Sequence, residues 1–211
     1  MELDKNRLEE EDEEEETGAS ISQITHSSLL HAFGIYMFSE DVTNKSCSRV
    51  MEFILEANLN PNRMFDKIQL IINSRGGGLD AAFALCDVMQ GSRVPIYTTG
   101  LGLIASAGLV IFMAGQKGHR TLTPNTMILS HQWSMGVHGK EHELIASIKA
   151  FDMLKDKIMD HYKTFTGLTE KKIKQYLLPP SDVWITPEEA IKLKIADEIV
   201  QPKQKINEVL P

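Results

Sequence analysis

Only two cysteines, Cys47 and Cys86, occur in this chain of 211 residues. Two cannot frame a disulfide-stapled fold, so reduced thiols in a cytoplasmic protein are the expectation. No apolar run approaches the roughly 18 residues of a membrane-crossing helix, so no contact with a membrane is expected. The N-terminus is acidic and lacks the apolar stretch of a secretory signal, so none is expected there. A fixed-period repeat is also missing. Charge of one sign is scarce outside the first 16 residues: these hold ten acids against Lys5 and Arg7, while the rest has 19 acids and 20 Lys or Arg. The formal net charge of −7 therefore belongs to the head, and the near-neutral body shows no bias toward nucleic acid.

Residues 1–20 read as a disordered acidic tail, because like charges repel and nothing apolar offsets ordering. Residues 21–200 read as one domain and 201–211 as a C-terminal tail. Leu29 to Phe38 is expected as an apolar strand region. Val50, Phe53, Ile54 and Ala57 recur at helical spacing, with Asp41 and Thr43 ahead of them and Pro61 behind. Ile68 to Ile72 has the look of a buried parallel strand. A helix over Asp80 to Met89, a strand over Pro95 to Thr99, a small-residue helix over Ser106 to Ala114 and a short strand over Met127 to Leu129 follow. This alternation implies right-handed crossovers and a parallel sheet. After a break at Gly136 to Gly139, Glu141 to Phe165 reads as a long amphipathic helix. Leu144, Ile148, Phe151, Leu154, Ile158 and Tyr162 lie on one face, and Gly167 closes it. A helix over Thr169 to Tyr176 precedes Asp182 to Ile185. Thr186, Pro187 and Glu189 then supply the N-cap, N1 and N3 of a last helix.

Three stretches carry chemistry. Asn73-Ser74-Arg75-Gly76-Gly77-Gly78 follows a strand and can present backbone N–H groups to an anion. It matches neither G-x-x-x-x-G-K-[ST] nor the full G-x-G-x-x-G spacing, so it is a poor phosphate loop. Ser106 stands among Ala105, Ala107 and Gly108, whose small size lets a substrate backbone approach the hydroxyl. His131 ends a strand, and Asp182 could hold its imidazole. A cradle, a nucleophile and a base are the parts that serine acyl transfer requires. Taken singly, each stretch also fits a bland role: a tight turn, an N-cap serine, a satisfied polar histidine, a surface aspartate.

Taken jointly they resemble the Clp protease proteolytic subunits. Asn73-Ser74-Arg75-Gly76-Gly77 is similar to that family's Asn-Ser-Pro-Gly-Gly, and Ala105-Ser106-Ala107-Gly108 to its Ala-Ser-Met-Gly. Thr123-Pro124-Asn125 with Ile128 through His131-Gln132 resembles its Leu-Pro-Asn and Met-Ile-His-Gln-Pro. Asp182-Val183-Trp184-Ile185-Thr186 with Glu189-Ala190 resembles its Asp-x-Phe-Leu-Ser and Glu-Ala. The resemblance runs from about Ile35 to Ile199. Arg75 and Trp133 stand where the family has proline, and Ala107 where it has methionine.

The resemblance implies a crotonase-like α/β fold of repeated β-β-α units, with a protruding strand-plus-long-helix handle at about 134–166. It implies Ser106 as nucleophile, His131 as general base and then acid, and Asp182 as the orienting carboxylate. The backbone N–H groups of Gly77 and Ala107 would form the oxyanion hole, and Gly76, Gly136, Val137 and His138 would bind substrate. It implies an unfolded polypeptide substrate, heptameric rings stacked in pairs, an AAA+ unfoldase partner and no cofactor. The acidic head differs from the family's short apolar N-terminal segment. The Ala105-Ser106-Ala107 core is similar to that of divergent phage-type members, some of which resemble processing proteases that work without an unfoldase. A degenerate crotonase-like ring subunit is the non-proteolytic alternative, against which the joint presence of Ser106, His131 and Asp182 argues. His138-Gly139-Lys140-Glu141-His142 also fits the H-x-x-E-H of some zinc peptidases. Gly139 costs about 1 kcal/mol of helix propensity against alanine, and both histidines would have to share a helical turn. No metal site is expected.

Overall fold

The computed structural model describes residues 29–133, 136 and 138–200. Both expected tails lie outside these residues. The elements run β1 (Ile35–Phe38), α1 (Asn44–Leu59), β2 (Ile68–Ser74), α2 (Leu79–Gly91), β3 (Ile96–Ala105), α3 (Ala107–Met113), β4 (Arg120–Leu122), β5 (Met127–Ser130), α4 (Glu141–Thr166), α5 (Glu170–Tyr176), β6 (Val183–Ile185), α6 (Pro187–Lys192) and β7 (Glu198–Ile199).

A seven-stranded sheet in the order β1-β2-β3-β4-β7 is parallel throughout that path. Strand β3 is the organising element. Its first part pairs with β4 (Thr98 with Arg120) and its second part pairs with β5 (Ala105 with Leu129). The register against β2 slips between Ile72 and Ser74, where Gly102 takes a φ of 65° and Asn73 Oδ1 accepts from Leu103 N at 3.1 Å. That kink turns the end of β3 away from β4 and toward β5. The strand expected over Pro95 to Thr99 is therefore twice as long as the sequence suggests, because Gly100 and Gly102 bend it without ending it. β6 then pairs antiparallel with β5.

Helices α1, α2 and α3 cover one face. Strand β2 alternates fully buried Ile68, Leu70 and Ile72 with half-buried Gln69 and Ile71. Its β-branched run is thus buried on one face only, and Gln69 Nε2 donates to Thr99 Oγ1 at 2.9 Å on the other. Leu29 to Ala32 form a helical turn instead of a strand, and the strand starts at Ile35, after Gly34. Local signals fix several ends. Thr43 caps α1 by accepting from Ser46 N, and Thr186 caps α6 with Pro187 and Glu189 as expected. Gly167, in the left-handed region, ends α4.

Two contacts tie the far end of the sheet. Arg120, 1% exposed, makes two bonds to the Asp197 carboxylate at 2.7 and 2.8 Å and donates to Phe165 O at 3.0 Å. Asp197 also accepts the N–H groups of Gly118 and Arg120. Helix α4 is split in character. Ile158, Met159, His161, Tyr162 and Thr166 are buried, whereas Ile145, Ile148 and Met153 are 61%, 62% and 57% exposed. In the first half Phe151 packs against Trp133, with ring centroids 5.6 Å apart, while Leu144, Ile145, Ile148 and Met153 stay exposed.

Candidate active site

Ser106 joins β3 to α3. Its N–H donates to Leu129 O at 3.0 Å, and its carbonyl accepts from Leu109 and Val110 N–H. The residue is held at φ 54°, ψ −122°, a conformation that costs a side-chain-bearing residue of order 1–3 kcal/mol. Strand pairing on one side and the wholly buried α3 on the other impose it. The half-buried side chain does not cap its own helix, so the hydroxyl is not committed to the α3 backbone. Ala107, as first residue of α3, has no intrahelical acceptor for its N–H.

The glycine turn lies directly against this serine. A Cβ on Gly76 would sit 2.7 Å from both Ala105 O and Ser106 Cβ and 3.0 Å from Ala107 N, and its φ is +97°. No side chain fits there. Val42 N donates to Gly76 O and Gly78 N donates to Val42 O, both at 2.8 Å. These bonds bracket Gly77 and leave its own N–H without a protein acceptor among the described residues. Ser74, 3% exposed, shapes the turn by donating to Glu40 O at 2.6 Å and accepting from Gly76 N at 3.1 Å.

His131 follows β5, two residues after the Leu129 that binds Ser106 N. Asp182 precedes β6, and since Ser130 pairs with Val183 antiparallel, His131 and Asp182 come next in register. Ser106, His131 and Asp182 are thus brought to adjacent strand ends. Among the described residues no hydrogen bond joins the three. The half-buried His131 instead places Nδ1 2.6 Å from Gln132 O. A carbonyl only accepts, so this contact puts the ring proton on Nδ1 and leaves the Nε2 lone pair free. Asp182 is exposed.

Gly136 and His138 are exposed beside the start of α4, and Val137 lies outside the described residues. Helix α4 begins at Glu141, so His138 is not on the helix that carries His142. The two histidines of the H-x-x-E-H pattern do not share a helical turn. Among the described residues no group of three or more His, Cys, Asp or Glu could hold a metal ion.

The supporting contacts of Ser130, Gln132, His161 and Tyr162 are not legible in the sequence. Ser130, fully buried, donates to Leu177 O at 2.6 Å and lies 2.8 Å from the Tyr162 hydroxyl. Gln132 Nε2 donates to Leu178 O at 2.9 Å. His161 Nε2 donates to Val110 O at 2.9 Å and so ties α4 to the serine helix; burial lowers its pKa to about 4, against the opposing effect of that bond. These partners stand 32 to 51 residues apart, and no local pattern announces them.

A parallel-dominated α/β sheet with a serine, a histidine and a glycine turn gathered at neighbouring strand ends has the layout of an α/β enzyme. The family model described as Clp protease matches residues 16–203. The ATP-dependent Clp protease proteolytic subunit of Deinococcus radiodurans is 32% identical over 175 residues, covering 83% of each chain. The ATP-dependent Clp protease proteolytic subunit 2 of Nocardia farcinica is 30% identical over 194 residues, covering 90% of this chain and 91% of its own. Among solved structures, a ClpP1 point mutant from Listeria monocytogenes superposes with a TM-score of 0.73 at 23% identity, over 84% of this chain and 96% of that one. This chain belongs to the Clp protease family. No helix among the described residues is long and apolar enough to cross a membrane.

Proposed function

We propose that the chain is a serine endopeptidase that hydrolyses peptide bonds through an acyl-enzyme. The observation that carries this reading is the packing of Gly76 against Ser106 and Ala107, with the Gly77 and Ala107 N–H groups left without protein acceptors among the described residues. His131 Nε2 takes the Ser106 proton as Oγ attacks the scissile carbonyl carbon. The N–H groups of Gly77 and Ala107 receive the developing oxyanion, a contribution of about 3–4 kcal/mol per well-placed donor. His131 then gives its proton to the leaving amine. Water, activated by the same imidazole, cleaves the ester and restores Ser106. Asp182 replaces the Gln132 carbonyl at Nδ1 when the site closes, since catalytic hydrogen bonds commonly tighten only in the working complex.

The substrate is an extended, unfolded polypeptide laid along Gly76 and the 136–138 segment. The working particle is a homo-oligomer of two stacked heptameric rings in the cytoplasm, and the bare stripe of Ile145, Ile148 and Met153 on α4 is the face covered by a second copy. An AAA+ unfoldase feeds the chamber. A second reading, a phage-type processing peptidase independent of any unfoldase, rests on the Ala105-Ser106-Ala107 core, and the acidic run at residues 9–16 differs from the apolar N-terminal segment of unfoldase-fed members. A fluorophosphonate probe tests the chemistry. It is expected to label the intact particle at Ser106, located by peptide mass mapping. Labelling that persists in Ser106→Ala overturns the assignment. Cleavage of a folded protein substrate with and without an ATPase separates the two readings.

A further inference from the structure

The residues on either side of His131 are pinned to one another's neighbours. Ser130 and Gln132 donate to Leu177 O and Leu178 O, two consecutive carbonyls just past α5. Helix ends leave such carbonyls without partners, so both bonds satisfy groups that need one. The Ser130 hydroxyl has a single proton, and Leu177 O can only accept it. The Tyr162 hydroxyl must therefore be the donor to Ser130 Oγ, and the relay runs one way: Tyr162 O–H to Ser130 O–H to Leu177 O=C. Tyr162 is 3% exposed and sits in the buried end of α4, and burial pushes its phenol up to about 12, so it stays a donor.

We infer that Tyr162 and Ser130 are positioning residues for His131: a buried hydrogen-bond relay from α4 that fixes the strand end carrying the base. This rests on the reading of His131 as base. Ser130, Tyr162 and Leu177 are all buried and each relay atom has its partner, so the strand end is held by more than its own ladder bonds. The relay also places the strand end under the control of the helix whose outer half carries the exposed apolar stripe. A shift of α4 at Tyr162 reaches His131 without touching substrate.

A cycle of Tyr162→Phe, His131→Ala and the double variant tests the relay, read by peptide kcat and KM and by the rate of fluorophosphonate labelling of Ser106. Tyr162→Phe is expected to lower kcat and labelling by about tenfold while KM stays nearly constant, as for a catalytic group displaced by a fraction of an ångström. In the His131→Ala background the same change is expected to do nothing, because a residue acting through His131 has nothing left to act on. An equal loss from Tyr162→Phe with and without His131 overturns the relay and marks a general structural role. Wild-type kcat in Tyr162→Phe overturns it too. Full activity in His131→Ala overturns the base assignment instead, so the two failures are distinct. Should Tyr162→Phe not assemble, Ser130→Ala in the same cycle is read by the same criteria.

Discussion

The two ends of strand β3 treat polar groups in opposite ways. At the β4 end, Arg120 and Asp197 are paired twice over, and the carboxylate also takes two backbone N–H groups. At the β5 end, a serine held at positive φ does not cap its helix, and the N–H groups of Gly77 and Ala107 lack protein acceptors among the described residues. The first arrangement is saturated and closes the sheet onto β7. The second keeps its donors open beside a backbone that a neighbouring glycine leaves uncovered. A polar cluster that is fully paired serves the fold, whereas one that is incompletely paired in an accessible place is equipped to receive something else.

Breaking the saturated end is expected to have the largest effect. Asp197→Ala leaves a buried guanidinium uncompensated and should cost about 3–5 kcal/mol in urea unfolding, with little change in the kcat of the folded fraction. Burial alone would raise the Asp197 pKa, but the Arg120 bonds and the two backbone N–H groups outweigh it and hold the carboxyl below its usual range. Its stabilisation is therefore present above the unfolded carboxyl pKa and lost as pH falls through the lower folded value. Asp197→Ala should flatten that acid limb.

Filling the open end comes next. Gly76→Ala forces a Cβ against Ser106 and Ala107 and should reduce kcat on the order of 10²–10³-fold, the effect of displacing one oxyanion donor. Peptide hydrolysis by purified particles checks it. A smaller change tests the tie between α4 and the serine helix. Burial holds the His161 pKa at about 4, below the unfolded value near 6.5. The unfolded chain then binds a proton that the folded chain refuses, so stability is whole above the unfolded pKa and falls with pH through that window. The loss should be about 2 kcal/mol between pH 7 and pH 5, and His161→Gln should remove most of it in urea titrations at the two pH values. The exposed Lys174–Glu170 pair anchors the bottom of the scale: Glu170→Gln should leave the melting temperature unchanged.

What could be read from sequence divides along the same line. The Thr186-Pro187-Glu189 cap, the Thr43 cap and the Gly167 stop are set by residues within a turn of one another, and a linear reading finds them. His131 and Asp182 follow and precede apolar runs, so their strand-end placement was visible as well, whereas Ser106 was legible only as the start of a small-residue helix. Strand β3 was not, since only its double pairing with β4 and β5 carries it through Gly100 and Gly102. Nor was the turn of helix at Leu29 to Ala32, an apolar run too short to carry a period. The Ser130–Tyr162 and His161–Val110 bonds depend wholly on how α4 docks, and neither residue type announces its partner.

The open end of β3 as the seat of covalent chemistry is tested most directly by Ser106→Ala. Steady-state hydrolysis of an unstructured fluorogenic peptide should fall by at least about 10⁴-fold, with native mass and melting temperature unchanged because the substitution keeps the turn and removes one oxygen. Hydrolysis within about tenfold of wild type would contradict the account, whatever the particle's assembly state.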